Sequence, residues 1–211
     1  MLVVGDSGRI GPVARKLHPA ENRGYRELYA FARQMVEHWT ALAGQLGAGS
    51  GAAAALEKGA SAARDLLGEL EPVTARYGLH GKPAAQSVGV NLARGRTGVR
   101  DRFMERNQAL RFAVKDVEHV TMLLAYLARV AQARSDTELA EFCGRWERKL
   151  RRHAGAARKA AADQGADPDA AVEPLDGSLV GKAAHSVGYV AGTVGEWVDR
   201  RADAVRRSDR D

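Results

Sequence analysis

Apolar residues recur at alternating steps of three and four along most of this chain. Tyr25, Leu28, Ala32, Met35, Trp39, Leu42 and Leu46 form the first such stripe, and that spacing predicts an amphipathic helix. Asn22 is the expected cap, and the Gly-rich residues 47–51 are expected to end the helix. A second helix is predicted from about Ala52 to Tyr77, with Leu56, Ala63, Leu66, Leu67, Leu70, Val73 and Tyr77 on its apolar face. Pro72 lies inside it and is expected to kink or divide it, because proline lacks the N–H and clashes with the preceding turn. Residues 78–98 read as a long connection with Pro83 in it and a short helix around residues 84–93. The third helix is predicted from about Val99 to Ala133, with Val99, Phe103, Leu110, Val114, Val117, Leu124 and Ala128 facing inward. Ser135 and Glu138 have capping-box spacing for a fourth helix that carries Leu139, Cys143, Trp146, Leu150, His153 and Ala157. Short loops and one long crossover predict an all-α four-helix bundle.

The flanks differ. Residues 1–20 read as an N-terminal arm, 21–162 as the bundle, and 163–177 as a solvated acidic linker. Residues 178–207 regain the three-four step through Val180, Ala183, Val187, Val190, Val194 and Trp197, which predicts an additional C-terminal amphipathic helix before a tail at 208–211. Gly181, Gly188, Gly192 and Gly195 lie on its neighbouring stripe.

Composition narrows the functional classes modestly. Of the 211 residues 45% are hydrophobic, enough for a core, and only 6% are aromatic, so the many alanines suit close helix packing. The formal charge of +6 favours acidic partners such as nucleic acid or anionic lipid. Cys143 is the single cysteine, which excludes an internal disulfide and fits a reducing compartment. The N-terminus lacks the basic start and long apolar run of a signal peptide, and no stretch is long and apolar enough to span a membrane. A cytoplasmic location is the expectation.

The runs LYAFARQM at 28–35, AALE at 54–57, Gly78 with GKP at 81–83, and AVKDVEHV at 113–120 occur in an order and spacing that resembles the YciE/YciF-like stress-associated branch of the ferritin-like superfamily. The resemblance covers about residues 25–160. It implies a ferritin-like bundle whose facing helices aim carboxylates and histidines at a metal pair. Two cations need several anionic ligands to offset their repulsion. Here those ligands are mostly gone. Ala32 stands where the first-helix glutamate is expected, and Gly59, Ser61 and Ala62 replace the cluster of the second helix. Glu118 and His119 persist, Thr121 follows them, and the acidic run of the fourth helix becomes Glu147, Arg148, Lys149, Leu150, Arg151 and Arg152. A degenerate metal site and no cofactor are therefore expected. Glu118 and His119, neighbours pointing about 100° apart on a helix, remain as residual metal candidates or as a half-buried polar pair. An Arg or His of the fourth helix, such as His153, would partner Glu118.

Other candidate chemistry is weighed on context. GDSG at 5–8 lacks the strand and sheet scaffold of a nucleophile elbow, and Cys143 lies on an apolar helix face, where cysteine behaves as a small hydrophobe. Arg145, Arg148, Lys149, Arg151, Arg152, Arg158 and Lys159 make a dense basic cluster, and Arg94, Arg96, Arg100, Arg102 and Arg106 a second. If they share a surface they could track phosphates. In the C-terminal segment Gly188 and Gly192 allow close helix packing, and Trp197 with Arg200, Arg201, Arg206 and Arg207 suits a membrane interface. DGSL at 176–179 is similar to the targeting peptides of encapsulated ferritin-like cargo, which normally end a chain. The reading is a non-enzymatic interaction or scaffold bundle, stress-related by resemblance, that forms a homo-oligomer or binds a protein partner. The alternatives are a basic nucleic-acid-binding bundle, a protein held at an anionic membrane surface, and a metal-dependent oxidase with relocated ligands.

Overall fold

A computed structural model describes residues 16–79 and 104–175. Four long helices account for most of them: α1 (Pro19–Leu46), α2 (Gly51–Ala75), α3 (Arg106–Ala133) and α4 (Thr137–Asp163). Each of α1 and α4 packs on both α2 and α3, so α1 faces α4 and α2 faces α3 across the bundle. All four adjacent pairs run antiparallel. Along α1 and α3, His38 meets Asp116 while Gly24 meets Leu127. Along α2 and α4, Asp65 meets Lys149, Glu69 meets Arg145 and Arg76 meets Glu138. α2 and α3 consequently point the same way, and the chain between Leu79 and Met104 joins opposite ends of the bundle. The long crossover is thus required by where these two helices end and begin.

The three-four stripes are the core. Tyr25, Leu28, Ala32, Met35, Trp39 and Leu42 from α1 meet Leu56, Ala63, Leu66 and Leu70 from α2, all buried. Leu110, Val117 and Leu124 of α3 and Leu139, Trp146 and Leu150 of α4 complete it. Burial of these side chains, at about 1.5–3 kcal/mol each, is the main force holding four helices whose exposed faces are polar.

The ends of the elements depart from the sequence expectations. His18, not Asn22, caps α1: its backbone N–H donates to Glu21 Oε2 at 2.8 Å and its ring Nδ1 accepts from Ala20 N at 3.1 Å. Pro19 then takes the first helical position, where its missing N–H costs nothing. α2 runs through Pro72 without a break and stops one turn later. α3 begins at Arg106 rather than near Val99. Residues 99–103 and the short helix expected at 84–93 lie outside the described residues. Asp136, not Ser135, caps α4, accepting from Leu139 N at 3.3 Å, while Ser135 adopts φ 57° to make the tight turn out of α3.

The acidic stretch expected to be a solvated linker is attached to the bundle as far as Leu175. After α4 comes one 3₁₀ turn at Gln164–Ala166 and the short α5 (Pro168–Ala171), capped by Asp167. The chain then folds back on the start of α3: Arg106 N donates to Glu173 O at 3.0 Å and Leu175 N to Met104 O at 2.9 Å. Leu175 and Ala171 are buried, so apolar contacts outweigh the acidic composition there. The predicted C-terminal helix at 178–207 lies outside the described residues, and with it Gly188, Gly192 and Trp197. None of the described helices is long and apolar enough to cross a membrane.

Candidate functional site

The bundle interior is where a metal pair would be held, and of the positions the resemblance singles out Ala32, Gly59 and Ala62 lie in it. Ala32 is fully buried. Gly59 lies directly under the Trp39 indole: a Cβ there would stand 2.1 Å from Cζ3 and 2.6 Å from Cε3. The absence of a side chain at 59 is what admits the ring. The indole Nε1 donates to Ala113 O at 3.2 Å, so its one polar atom is satisfied inside the core. Ala62 is buried and Ser61 is exposed. Glu118 and His119 do not meet. Glu118 accepts from Arg158 of α4 (Nε–Oε1 2.8 Å), an arginine of the fourth helix as expected, with Arg158 rather than His153 as the residue. His119 is 43% exposed, stands 3.1 Å from Glu27 of α1 and packs on the Phe31 ring with centroids 4.1 Å apart. Both pairs lie at the surface, on opposite flanks of α3. Among the described residues no group of three or more His, Cys, Asp or Glu side chains is placed to hold a metal ion.

Two buried polar groupings were not anticipated. His38 Nδ1 and Asp116 Oδ2 are 2.5 Å apart between α1 and α3, with only 7% of the histidine and 18% of the aspartate exposed. His38 is one residue off the apolar stripe, and nothing in its spacing marks a partner 78 positions away. The second grouping closes the end where α1 starts and α3 gives way to α4. Glu21 is fully buried, and Arg134 Nε lies 2.8 Å from its Oε2. Arg134 also donates to Lys16 O at 2.9 Å. Asp136 accepts from the Tyr77 hydroxyl at 3.2 Å as well as capping α4. One helical turn inward, the Tyr25 hydroxyl lies 3.4 Å from Cys143 Sγ. Burial pushes the tyrosine hydroxyl far above its usual range, and the neighbouring Cys143 adds to the shift. Burial likewise pushes the Cys143 thiol up to about 11, against the opposing effect of the Tyr25 hydrogen bond. A thiol held protonated in the core is a poor nucleophile.

The basic cluster of α4 is largely neutralised by carboxylates. Arg145 donates to Glu69 at 2.8 Å and Lys149 to Asp65 at 3.2 Å, both on α2. Arg158 pairs with Glu118, Arg151 with Glu147 and Lys159 with Asp163. Only Arg148 and Arg152 of the seven have no carboxylate partner among the described residues. The Arg145 hydrogen bond, with help from Trp146, holds the Glu69 carboxyl below its ordinary range despite some burial. Arg145 and Lys149 also lie over the Trp146 ring, 5.6 and 4.3 Å from its centroid. Across the described residues 19 Lys and Arg face 18 Asp and Glu, whereas residues 80–103 hold five basic side chains and one acidic. Most of the excess positive charge therefore lies in residues 80–103, Arg94, Arg96, Arg100 and Arg102 among them, and not in the bundle.

Surface depressions flank α4 among the described residues. One, of about 810 Å³, lies beside α4 and is bordered by Arg76, Glu138, Phe142, Arg145 and Arg148. Another, of about 670 Å³, runs between α3 and α4 under α5, with Val114, Ala161, Ala162, Ala171 and Val172 on its floor and walls. A scan against protein-family models and searches of curated proteins and of solved structures find no match to this chain.

Proposed function

We propose that this chain is a ferritin-like helical bundle that has given up its di-metal centre and works without enzymatic chemistry, as an interaction or scaffold protein. The observation that carries the reading is the Trp39 indole seated over Gly59, with Ala32 also fully buried two turns away along α1. A metal pair needs space and several anionic oxygens at the bundle centre. This centre offers a ring, a glycine and an alanine instead. The antiparallel pairs and the crossover between α2 and α3 support the ferritin-like element order. The remaining ionisable groups are used in holding helices together: Glu118 with Arg158, His119 with Glu27, Glu21 with Arg134. A stress-associated setting follows from the resemblance alone, and self-association or a protein partner from the surface role left to such a bundle.

Elemental analysis of protein purified without chelator, then refilled with iron and manganese, tests the reading. No retained metal is expected. Near-stoichiometric metal that disappears in Glu118→Ala would overturn it and bring back an oxidase with relocated ligands. Sedimentation across a concentration series then reads self-association. Binding to a mixed DNA duplex at two salt concentrations tests the nucleic-acid alternative: charge reversal at Arg148, Arg151 and Arg152 abolishes binding if α4 is the contact surface.

A further inference from the structure

The fold-back after α5 roofs one end of a groove that the bundle itself does not fill. Leu175 N donates to Met104 O at 2.9 Å and Arg106 N to Glu173 O at 3.0 Å, while the Arg106 guanidinium lies 3.3 Å from the Glu173 carboxylate. These ties hold α5 against the start of α3. They leave the depression of about 670 Å³ between α3, α4 and α5. It follows α3 from Glu105 to Glu118, a run of about 20 Å at 1.5 Å per residue. Small or branched apolar side chains line it: Val114, Ala161, Ala162, Ala171 and Val172. Val172 is 48% exposed although the residue before it is buried, so an aliphatic side chain is held open to solvent at the groove's edge.

The polar groups of its walls are not equivalent. Arg158 is bound to Glu118, and Asn107 Nδ2 donates to Ala161 O at 2.7 Å. Arg111 and Lys115 also line the groove, are exposed, and have no carboxylate partner among the described residues. They stand four positions apart on α3, which makes them neighbours on one face. We propose that this groove binds a free long-chain carboxylate, with its head at Arg111 and Lys115 and its alkyl tail under α5. Charge complementarity selects the head: two cations without partners meet one anion. Glu105, at the α5 end, repels a carboxylate and so leaves that end to the tail. A polyanion would meet Glu105 as well as the two cations. A peptide would bring backbone N–H and C=O groups that need partners, against walls of Val and Ala where the Asn107 amide is already engaged. A mostly apolar cleft of about 300–1,000 Å³ with a few orienting charged groups is the usual form of a small-molecule site. The assignment stands whether or not the bundle centre has lost a metal pair.

Equilibrium dialysis of the full-length protein against labelled dodecanoate, kept below its aggregation concentration, tests the assignment. Saturable binding to one site per chain is expected. From octanoate to dodecanoate the affinity should rise by up to about fourfold for each CH₂ that the groove covers. Dodecyltrimethylammonium, with the same tail and the opposite head, should bind about tenfold more weakly or less. Arg111→Gln with Lys115→Gln should weaken dodecanoate binding about tenfold or more. Arg148→Gln with Arg152→Gln, which removes cations elsewhere on α4, should leave it unchanged. Ala162 is exposed, so Ala162→Phe fills the groove without entering the core and should abolish saturation. Circular dichroism identifies any variant that misfolds, and the chain-length series reads the groove in the unaltered protein. No saturable binding, equal binding of the ammonium amphiphile, or equal losses in the two charge variants overturns the proposal. Sedimentation with phosphatidylglycerol vesicles, without saturable binding of free dodecanoate, assigns the basic pair to a lipid surface and overturns it. A dimer that Ala162→Phe dissociates, with no dodecanoate bound, assigns the groove to a second copy and overturns it equally.

Discussion

Replacing Gly59 by alanine separates helix propensity from packing. In an isolated helix the change stabilises by about 0.8–1.0 kcal/mol. In this bundle the new methyl would stand 2.1 Å from Trp39 Cζ3 and 3.2 Å from Cη2. The ring cannot swing away cheaply, because Trp39 is fully buried and its Nε1 is bonded to Ala113 O. Overpacking of this kind costs about 1–3 kcal/mol, and losing the indole hydrogen bond about 1 kcal/mol more. The net effect is a loss of about 2 kcal/mol after the propensity gain is subtracted. Gly68 in the same helix has open space where its Cβ would go, so Gly68→Ala is expected to stabilise by about 0.5–1 kcal/mol. Urea unfolding followed by circular dichroism reads both: the midpoint falls for Gly59→Ala and rises for Gly68→Ala, with the slope unchanged. Combining Gly59→Ala with Trp39→Phe recovers part of the loss, as expected of residues in contact. A Gly59→Ala midpoint at or above that of the unaltered protein would refute the steric account, and with it the claim that the ring occupies the bundle centre.

Arg134→Ala leaves the fully buried Glu21 carboxylate without its cation, and the expected destabilisation is about 3 kcal/mol; a loss no larger than that of Arg33→Ala, whose pair with Glu37 is exposed and is worth under about 0.5 kcal/mol, would show the pair is not buried in solution. His153 has its pKa lowered by burial first, then by Lys149, Arg152 and Lys58, so the unfolded chain takes up the proton more readily than the folded one. Its contribution is fully present above the ordinary histidine value and is lost as pH falls from about 6.5 toward the lowered value; unfolding midpoints measured from pH 7.5 to 5 should decline less in His153→Gln than in the unaltered protein. Cys143, buried and with its thiol pushed up to about 11, should react with a disulfide reagent only as the bundle opens, so that labelling in rising urea tracks the unfolding curve. Rapid labelling in buffer would contradict the burial.

The sequence by itself determined the four helices and their inward faces. A three-four repeat of apolar side chains places them on one side of a helix whatever the partner, so Tyr25 to Leu42, Leu56 to Leu70, Leu110 to Leu124 and Leu139 to Leu150 could be recognised as core. It also shows that residues 32, 59 and 62 carry no carboxylate or imidazole, because that is a property of the residue alone. Helix ends were harder to read. His18 and Asp136 displaced the expected caps because capping depends on backbone angles that several nearby polar residues could have met. The fate of each charge was decided only by the tertiary structure. The seven cations of α4 cluster in the sequence, and only the tertiary structure shows five carboxylates, three of them on other helices, within reach of five of them. Glu21 with Arg134 and His38 with Asp116 stand 113 and 78 positions apart, and no local periodicity connects them. The acidic side chains at 163, 167, 169 and 173 are exposed, as their composition suggests, but Ala171 and Leu175 find apolar cover where the chain turns back on α3. Hydrophobic pattern is periodic and therefore local. Ion pairing depends on which helices become neighbours, and that is settled when the core packs.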